Sequence, residues 1–411
     1  MSGFGSYGLK DFPKNEYKSR WEKAKKLMEE KHIDALLLTQ DENVNYFSGF
    51  RYTWYIEVSY RNFLILPLDG EPTLVTPVSM RGNVEAMTWM ENVTYFGKDL
   101  GGDPAEIVAE VLKKQGLSNK VIGTEIDHSM RIWVSQRDFE AIRRGLPKAE
   151  FVDASKLIWK LRTIKSPLEI EYTKRSVEIS CKAFEKGFES LKEGMSECEF
   201  AKIIFKAMLD EGADLGPIKA GLNCRAGSER YTQYNARPSN RRFKKGDIVI
   251  CDGGTTYMGY YSDITRLACI GKPSKKQREM FDIAREAEEV AVKAIRPEVK
   301  VSDVCAVALD VIKNGGFGEH LLSEGVGHGL GLEIHEPPWL ELRSEERLQP
   351  GMIITVEPCI YDTPTVNFLK LKGGKYSIGG EGVFFVEDNI LVTESGHENL
   401  SPLSKDLWIV S

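Results

Sequence analysis

Five residues stand where a folded chain ordinarily keeps charge out: Asp252, Asp263, His328, Glu357 and Glu387. Asp252 ends the β-branched run in Ile-Val-Ile-Cys-Asp-Gly-Gly, and Glu357 ends Met-Ile-Ile-Thr-Val-Glu just before Pro358. Glu387 reads as lying inside an apolar strand, Val-Phe-Phe-Val-Glu-Asp-Asn-Ile-Leu-Val-Thr. Asp263 follows in Gly-Tyr-Tyr-Ser-Asp-Ile-Thr-Arg. The runs on either side of Gly253-Gly254 therefore read as two strands joined by a short loop. His328 stands in Gly-Val-Gly-His-Gly-Leu-Gly, whose glycines permit close backbone approach. An ionised acid in an apolar strand is costly unless it is paired or bound to metal.

Singly, each residue has an ordinary explanation, because 61 of the 411 residues are Asp or Glu. An Asp after a strand forms turns, a Glu on an edge strand discourages aggregation, and a His among glycines sits in a loop. Together, four carboxylates and an imidazole match what a pair of divalent transition metals needs. Carboxylates bridge two ions and neutralise them, while imidazole supplies a softer nitrogen. Two such ions about 3.5–4 Å apart hold a hydroxide between them and polarise a carbonyl. If the five converge, the protein is a metal-dependent hydrolase. Cys251 and Cys359 each neighbour a candidate ligand, and packing as small core residues is their simpler reading.

The C-terminal part resembles the pita-bread metallohydrolases, which include methionine aminopeptidases, proline-specific aminopeptidases and prolidases. The strings that carry the resemblance are Lys245-Gly246-Asp247, Asp252-Gly253-Gly254, Ser262-Asp263-Ile264-Thr265-Arg266, Gly327-His328-Gly329-Leu330-Gly331, His335-Glu336-Pro337, Val356-Glu357-Pro358 and Glu387-Asp388. The resemblance implies that Asp252 binds one metal, that Asp263 and Glu387 bridge both, and that His328 and Glu357 bind the second. Glu381, in Gly-Gly-Glu-Gly, rivals Glu387, but the string from Glu387 onward fits the family pattern better. His335, seven residues after His328, takes the place of a second histidine facing substrate, suited to steadying a developing oxyanion. A loop histidine before a Pro-Pro turn is its plain alternative. The resemblance also gives Glu357 the shuttling of a proton from water to the leaving nitrogen. Manganese, cobalt, iron and zinc all suit such ligands.

One position departs from the family. Prolidases of this type usually carry a histidine before the Lys-Gly-Asp string, where this chain has Asn235 in Tyr-Asn-Ala-Arg-Pro-Ser. Asparagine hydrogen-bonds but does not titrate, so Asn235 becomes a candidate substrate contact and proline specificity an open question. Cys359 also replaces a usual glycine. The best reading is a Xaa-Pro dipeptidase or aminopeptidase. A hydrolase of a small solute, such as an ectoine-type amide or amidine, is the alternative, and a catalytically silent pita-bread binding module is the third. Creatinase lacks an intact metal set, and the related sulfonium lyases carry an acid where this chain has Gly254.

The rest of the chain sets the scaffold. Its length suggests two domains: an α/β creatinase/prolidase-like domain over 1–165 and an α+β pita-bread domain over 166–411. In the first, Tyr17, Trp21, Ala24 and Met28 recur at helical spacing. Strands are expected at 33–39, 61–68, 73–76 and 120–124, with a helix at 104–115. The string Asn43–Phe50 resembles the creatinase and prolidase N-terminal domain. The aromatic cluster at 51–55 reads as domain packing, although in relatives this region can border the active site of a dimer partner. In the second domain, Ser166-Pro167 suits a helix start. Similar strings before the helices near 197 and 301 hint at an internal duplication. A net charge of −6 argues against general nucleic-acid binding. No apolar run reaches membrane-span length, and the N-terminus lacks a signal-peptide core. Seven cysteines without Cys-x-x-Cys point to a reducing compartment. A cytoplasmic homodimer acting on a small peptide or small molecule is the expectation.

Overall fold

The computed structural model describes residues 9–51, 61–97, 102–127, 129–215, 221–233, 235–363 and 380–411. The chain divides into two compact units, Met1–Arg162 and Thr163–Ser411.

The first unit alternates helices and strands: α1 Lys14–Glu30, β1 Ala35–Leu38, α2 Asp41–Ser48, β2 Phe63–Pro67, β3 Thr73–Pro77, α3 Arg81–Met87, β4 Asn92–Phe96, α4 Pro104–Lys114, β5 Val121–Thr124, α5 Gln136–Gly145, β6 Glu150–Asp153 and α6 Ser155–Thr163. Helix α1 buries Tyr17, Trp21, Ala24 and Met28, one stripe of a 3.6-residue repeat. Asp103 caps α4 through Ala105 N, with Pro104 in the first turn. The six strands form one mixed sheet in the order β4-β3-β2-β1-β5-β6, with α4 and α5 packed through Val108, Leu112 and Ile142 over its Leu37, Ile65 and Ile122. The string Asn43–Phe50 turns out to be mostly helix α2, which ends at the left-handed Gly49. The buried Glu125 holds the start of α2 by accepting from the Thr39 and Gln40 N–H groups and from Asn43 Nδ2. Of the aromatic cluster at 51–55, only Arg51 lies within the described residues.

The second unit repeats one plan twice. Its first half runs α7 Pro167–Ser190, α8 Glu197–Asp210, β7 Leu222–Ala226, β8 Ile248–Gly253, β9 Thr256–Tyr257, β10 Tyr260–Tyr261 and β11 Ile264–Ile270. Its second half runs α9 Lys275–Ala294, α10 Val301–Ile312, β12 Gly325–Gly329, β13 Glu336–Glu341, β14 Ile353–Val356, β15 Ile360–Asp362, β16 Gly382–Phe384 and β17 Asp388–Val392, followed by β18 His397–Asn399 and β19 Trp408–Val410. Each half opens on a helix with a Ser capping box, Ser166 with Glu169 and Ser274 with Gln277. Each second helix starts beside an isolated bridge, Ser196 with Arg242 and Lys300 with Arg347. The strands form two main sheets, β19-β11-β8-β7 and β13-β12-β14-β17-β18.

Four local readings change. The link between β8 and β11 is not a short loop, because the β9–β10 hairpin is inserted in it. His328 lies in strand β12 rather than a loop, in a bulged pairing with β13. Glu387 is not inside a strand; it sits just before β17 and makes a lone bridge to Thr265. The Pro337-Pro338 pair belongs to strand β13 rather than to a turn.

That lone bridge joins the two sheets. Thr265 and Glu387 exchange long backbone hydrogen bonds of 3.4 and 3.3 Å, and Arg266 reinforces them. Its buried guanidinium donates to Thr265 O, Glu387 O, Leu403 O and Asp388 Oδ1. Lys405 and Asn399 complete Asp388 from the other side. Burial works against ionisation of Asp388, but the Arg266 and Lys405 charges outweigh it and hold its carboxyl below the ordinary range. Replacing Arg266 by Met leaves the buried Asp388 with Lys405 as its one remaining cation among the described residues and removes the donors to Thr265 O, Glu387 O and Leu403 O. Urea unfolding of Arg266→Met should show a loss of about 3–5 kcal/mol, and a loss below about 1 kcal/mol would mean that the network does not hold the sheets.

Candidate metal centre

The site forms where both sheets present the ends of their central strands. Asn223 of β7, Asp252 of β8 and Thr265 of β11 lie side by side in register, and the lone bridge extends the row to Glu387. Asn223 Nδ2 donates to Asp252 Oδ2 at 3.0 Å. The Thr265 hydroxyl lies 3.1 Å from Asp252 Oδ1 and 3.0 Å from Glu387 Oε2. Its single proton serves one carboxylate at a time. Asp263 is positioned by Asn389, whose side chain bonds its backbone N–H and C=O.

The second half supplies the remainder. His328 Nδ1 faces Gly329 O at 2.9 Å, which fixes the tautomer and leaves Nε2 pointing at the acids. That Nε2 lies 3.5 Å from Glu357 Oε1, 3.9 Å from Asp263 Oδ2 and 4.0 Å from Glu387 Oε1. Two glycines allow the close approach: a side chain on Gly327 would strike Thr355 O, and one on Gly253 would strike Gly221 O. Both have positive φ, 152° and 131°.

Three groupings each place candidate ligand atoms within 4.8 Å of one another: Asp252 with Asp263 and Glu387, His328 with Glu357 and Glu387, and Asp263 with His328 and His335. Asp263 Oδ1 and Glu387 Oε1 are buried without a hydrogen-bond partner. Buried carboxylate oxygens normally have partners, so these two atoms fit a role as ligands. The donor set, four carboxylates and a nitrogen, suits hard to borderline divalent cations.

The electrostatics point the same way. Burial pushes Asp252 up against the pull of Asn223 and Arg225. Burial first, and the neighbouring carboxylates next, push Asp263 and Glu387 well above the usual carboxylate range. Glu357 keeps 28 % of its side-chain surface accessible, yet burial of its carboxyl and the Asp252 charge raise it to about 8. His328 is pushed down to about 3 by burial and by His335. It is therefore neutral and able to ligate. His335 is surface-accessible, and partial burial lowers it against the pull of Asp252. Its ring lies 4.3 Å from that of His328.

Glu381, Cys251 and Cys359 belong to none of these groupings. Glu381 accepts from Ser274 at the start of α9. Cys251 packs in one core cluster of the second unit, and Cys359, half-buried, packs against the other. Asn235 sits on an exposed turn with φ 52°. Sequence reasoning missed Asn223 and Thr265 as supports of Asp252 and Glu387. Thr265 was within a quoted string, but a Thr in a strand is ordinarily just a strand former.

Residues 171–394, more than half the chain, match the model of metallopeptidase family M24. The chain belongs to that family. Residues 20–164 match the creatinase/prolidase N-terminal domain. The M24 chain is 29 % identical over 390 residues to a Xaa-Pro dipeptidase of Pyrococcus furiosus, covering 95 % of this chain and 99 % of that protein. Its fold is similar to the Xaa-Pro dipeptidase from Bacillus anthracis, with a TM-score of 0.81, 28 % identity, and 96 % and 100 % of the two chains covered. It is similar in fold also to Escherichia coli aminopeptidase P, with a TM-score of 0.72, 20 % identity and 96 % of each chain covered.

Two outcomes test this M24 site. Asp263→Ala should lower bound divalent metal by elemental analysis and abolish turnover, because Asp263 belongs to two groupings; full metal content with wild-type turnover would refute its role. The second is a pH slope in metal-stripped protein. Glu357 has a folded pKa raised above its unfolded value, so protonation favours the folded state. This stabilisation is complete below the unfolded pKa of about 4.3 and is lost as pH rises towards 8. Thermal melts from pH 5 to 8 should fall less steeply for Glu357→Gln than for wild type. Equal slopes would refute the assignment.

Proposed function

We propose that this chain is a dinuclear metal-dependent hydrolase of Xaa-Pro dipeptides. The observation that carries the reading is the convergence of Asp252, Asp263, His328, Glu357 and Glu387, with Asp263 and Glu387 shared between groupings. Two relatives of matching length, from Pyrococcus furiosus and Bacillus anthracis, are named Xaa-Pro dipeptidases and support the substrate class. Asp252, with the shared Asp263 and Glu387, would hold one ion, and His328 and Glu357 the other. Divalent ions of the manganese, cobalt, iron or zinc kind would there supply Lewis acidity and an acidified water.

The chain's own groups perform the rest. Glu357, its carboxyl 3.5 Å from His328 Nε2, would be held as a carboxylate by the bound cations, take the proton from the attacking water and return it to the departing proline nitrogen. His335, accessible beside His328, donates its N–H to the oxygen that gains charge as the carbonyl becomes tetrahedral. Its lowered pKa keeps it neutral near pH 7, and a neutral imidazole still carries one N–H. The complete ligand set weighs against a silent binding module, and none of the quoted relatives is a small-solute hydrolase. All seven cysteines are free, which suits the cytoplasmic setting expected for a homodimer.

The deciding assay is kcat/KM for metal-loaded protein on Xaa-Pro dipeptides, Xaa-Pro tripeptides and ectoine. Dipeptides should be cleaved best and chelation should abolish cleavage. His335→Ala should keep its metal and lose about 10²–10³-fold in kcat. Asn235→His should retain or raise dipeptide cleavage. Failure to cleave any Xaa-Pro substrate would end this reading, and efficient tripeptide cleavage would make the protein an aminopeptidase.

A further inference from the structure

A Xaa-Pro dipeptide has two unlike ends. Its α-amino group is drawn to the carboxylate cluster. Its proline ring is apolar, and its nitrogen, a tertiary amide, has no hydrogen to donate. The ligands and His335 are all polar, so the ring needs an apolar surface that this inventory does not contain. We infer that Trp339 is that surface: the wall against which the substrate's proline ring packs. This inference rests on the Xaa-Pro reading above.

Trp339 lies on β13, the edge strand of its sheet, directly opposite His328 in the pairing of β12 with β13. Cross-strand partners project from the same face of a sheet, so the indole stands on the side from which His328 faces the acids. The two rings are 6.4 Å apart and tilted by 51°. Along β13 the residues alternate. Glu336, Pro338 and Leu340 are buried, while Pro337 is half-buried and Trp339 is 42 % exposed. His335, two residues before Pro337, continues the same exposed row. The strand thus carries an imidazole, a pyrrolidine and an indole in sequence along one accessible face.

An indole in such a position needs a reason. Trp21 and Trp89 are tied down by hydrogen bonds from their ring nitrogens to Phe47 O and Phe12 O. No hydrogen bond to a described residue holds the Trp339 N–H. Among the large apolar side chains described as exposed, Trp339 is the one paired with a candidate ligand. Aromatic surfaces of this kind recognise proline, whose ring is preformed and loses little entropy on docking. The carboxylates claim the amino end, so the ring falls to the indole.

The test uses full-length, metal-loaded protein with Trp339→Ala and Trp339→Phe. Two quantities are read: steady-state kinetics on Ala-Pro, and calorimetric binding of free L-proline and L-alanine. Trp339→Ala should raise KM for Ala-Pro, and the Kd for proline, by about tenfold to a hundredfold, the range that apolar pocket contacts supply. It should leave kcat within about twofold and alanine binding unchanged, and Trp339→Phe should restore most of the loss. A fall in kcat with unchanged KM and proline affinity would overturn the inference and make Trp339 a support for His328. So would a change in oligomeric state at constant proline affinity, which would assign the indole to a second copy of the chain. Wild-type protein that binds proline through Trp339 but cleaves no Xaa-Pro peptide would end the peptidase reading and keep the wall. Wild-type protein that neither binds proline nor cleaves would overturn both.

Discussion

The burial of four carboxylates at one place, with their mutual repulsion second, sets the constraint on the second unit of this chain. Asp252, Asp263, Glu357 and Glu387 are drawn together against both burial and like charge, and each is raised above its ordinary range. Nothing in the local chemistry of a strand end requires such crowding. It exists because other parts of the fold hold it: the Asn223–Asp252–Thr265 row, the lone bridge to Glu387, and the Arg266 network behind that bridge. A neutral His328 adds a nitrogen without adding charge. This crowding opposes folding, and divalent cations held by these residues would relieve it, so the geometry and the affinity of such a site come from one arrangement.

Supports and ligands differ in how visible they are. Asp252 and Glu357 were legible because an acid ending an apolar run violates the strand pattern, and a violated pattern is information. Asn223 and Thr265 violate nothing, and only the register of β7, β8 and β11 shows that they face Asp252. Trp339 was also silent, because an aromatic in a strand is expected. Its significance lies in pairing opposite His328, a fact that depends on where β12 and β13 slip past one another.

The misread elements share a cause. Glycines around His328 suggested a loop because glycine is depleted in strands, yet here they are what lets two backbones approach. Glu387 was read as part of one long strand because the apolar run continues through it. The chain instead breaks into β16 and β17, which pair in different sheets. In the first unit, α1 carried clear periodicity, and α4 carried its Asp103-Pro104 cap. Strand β4 is largely half-exposed, and a sequence without alternation gives little to read.

The duplicated plan of the second unit divides the ligands unequally. Asp252 and Asp263 come from one half, and His328, Glu357 and Glu387 from the other, while among the described residues an isolated β-bridge of long hydrogen bonds, backed by Arg266, joins the two main sheets. Neither half holds all five candidate ligands. Metal affinity in such a protein is therefore also a measure of how firmly the halves are closed on each other. On the proposed ligand set, a change that loosens that seam, however far from the ligands, would be read out as weaker metal binding before it is read out as unfolding.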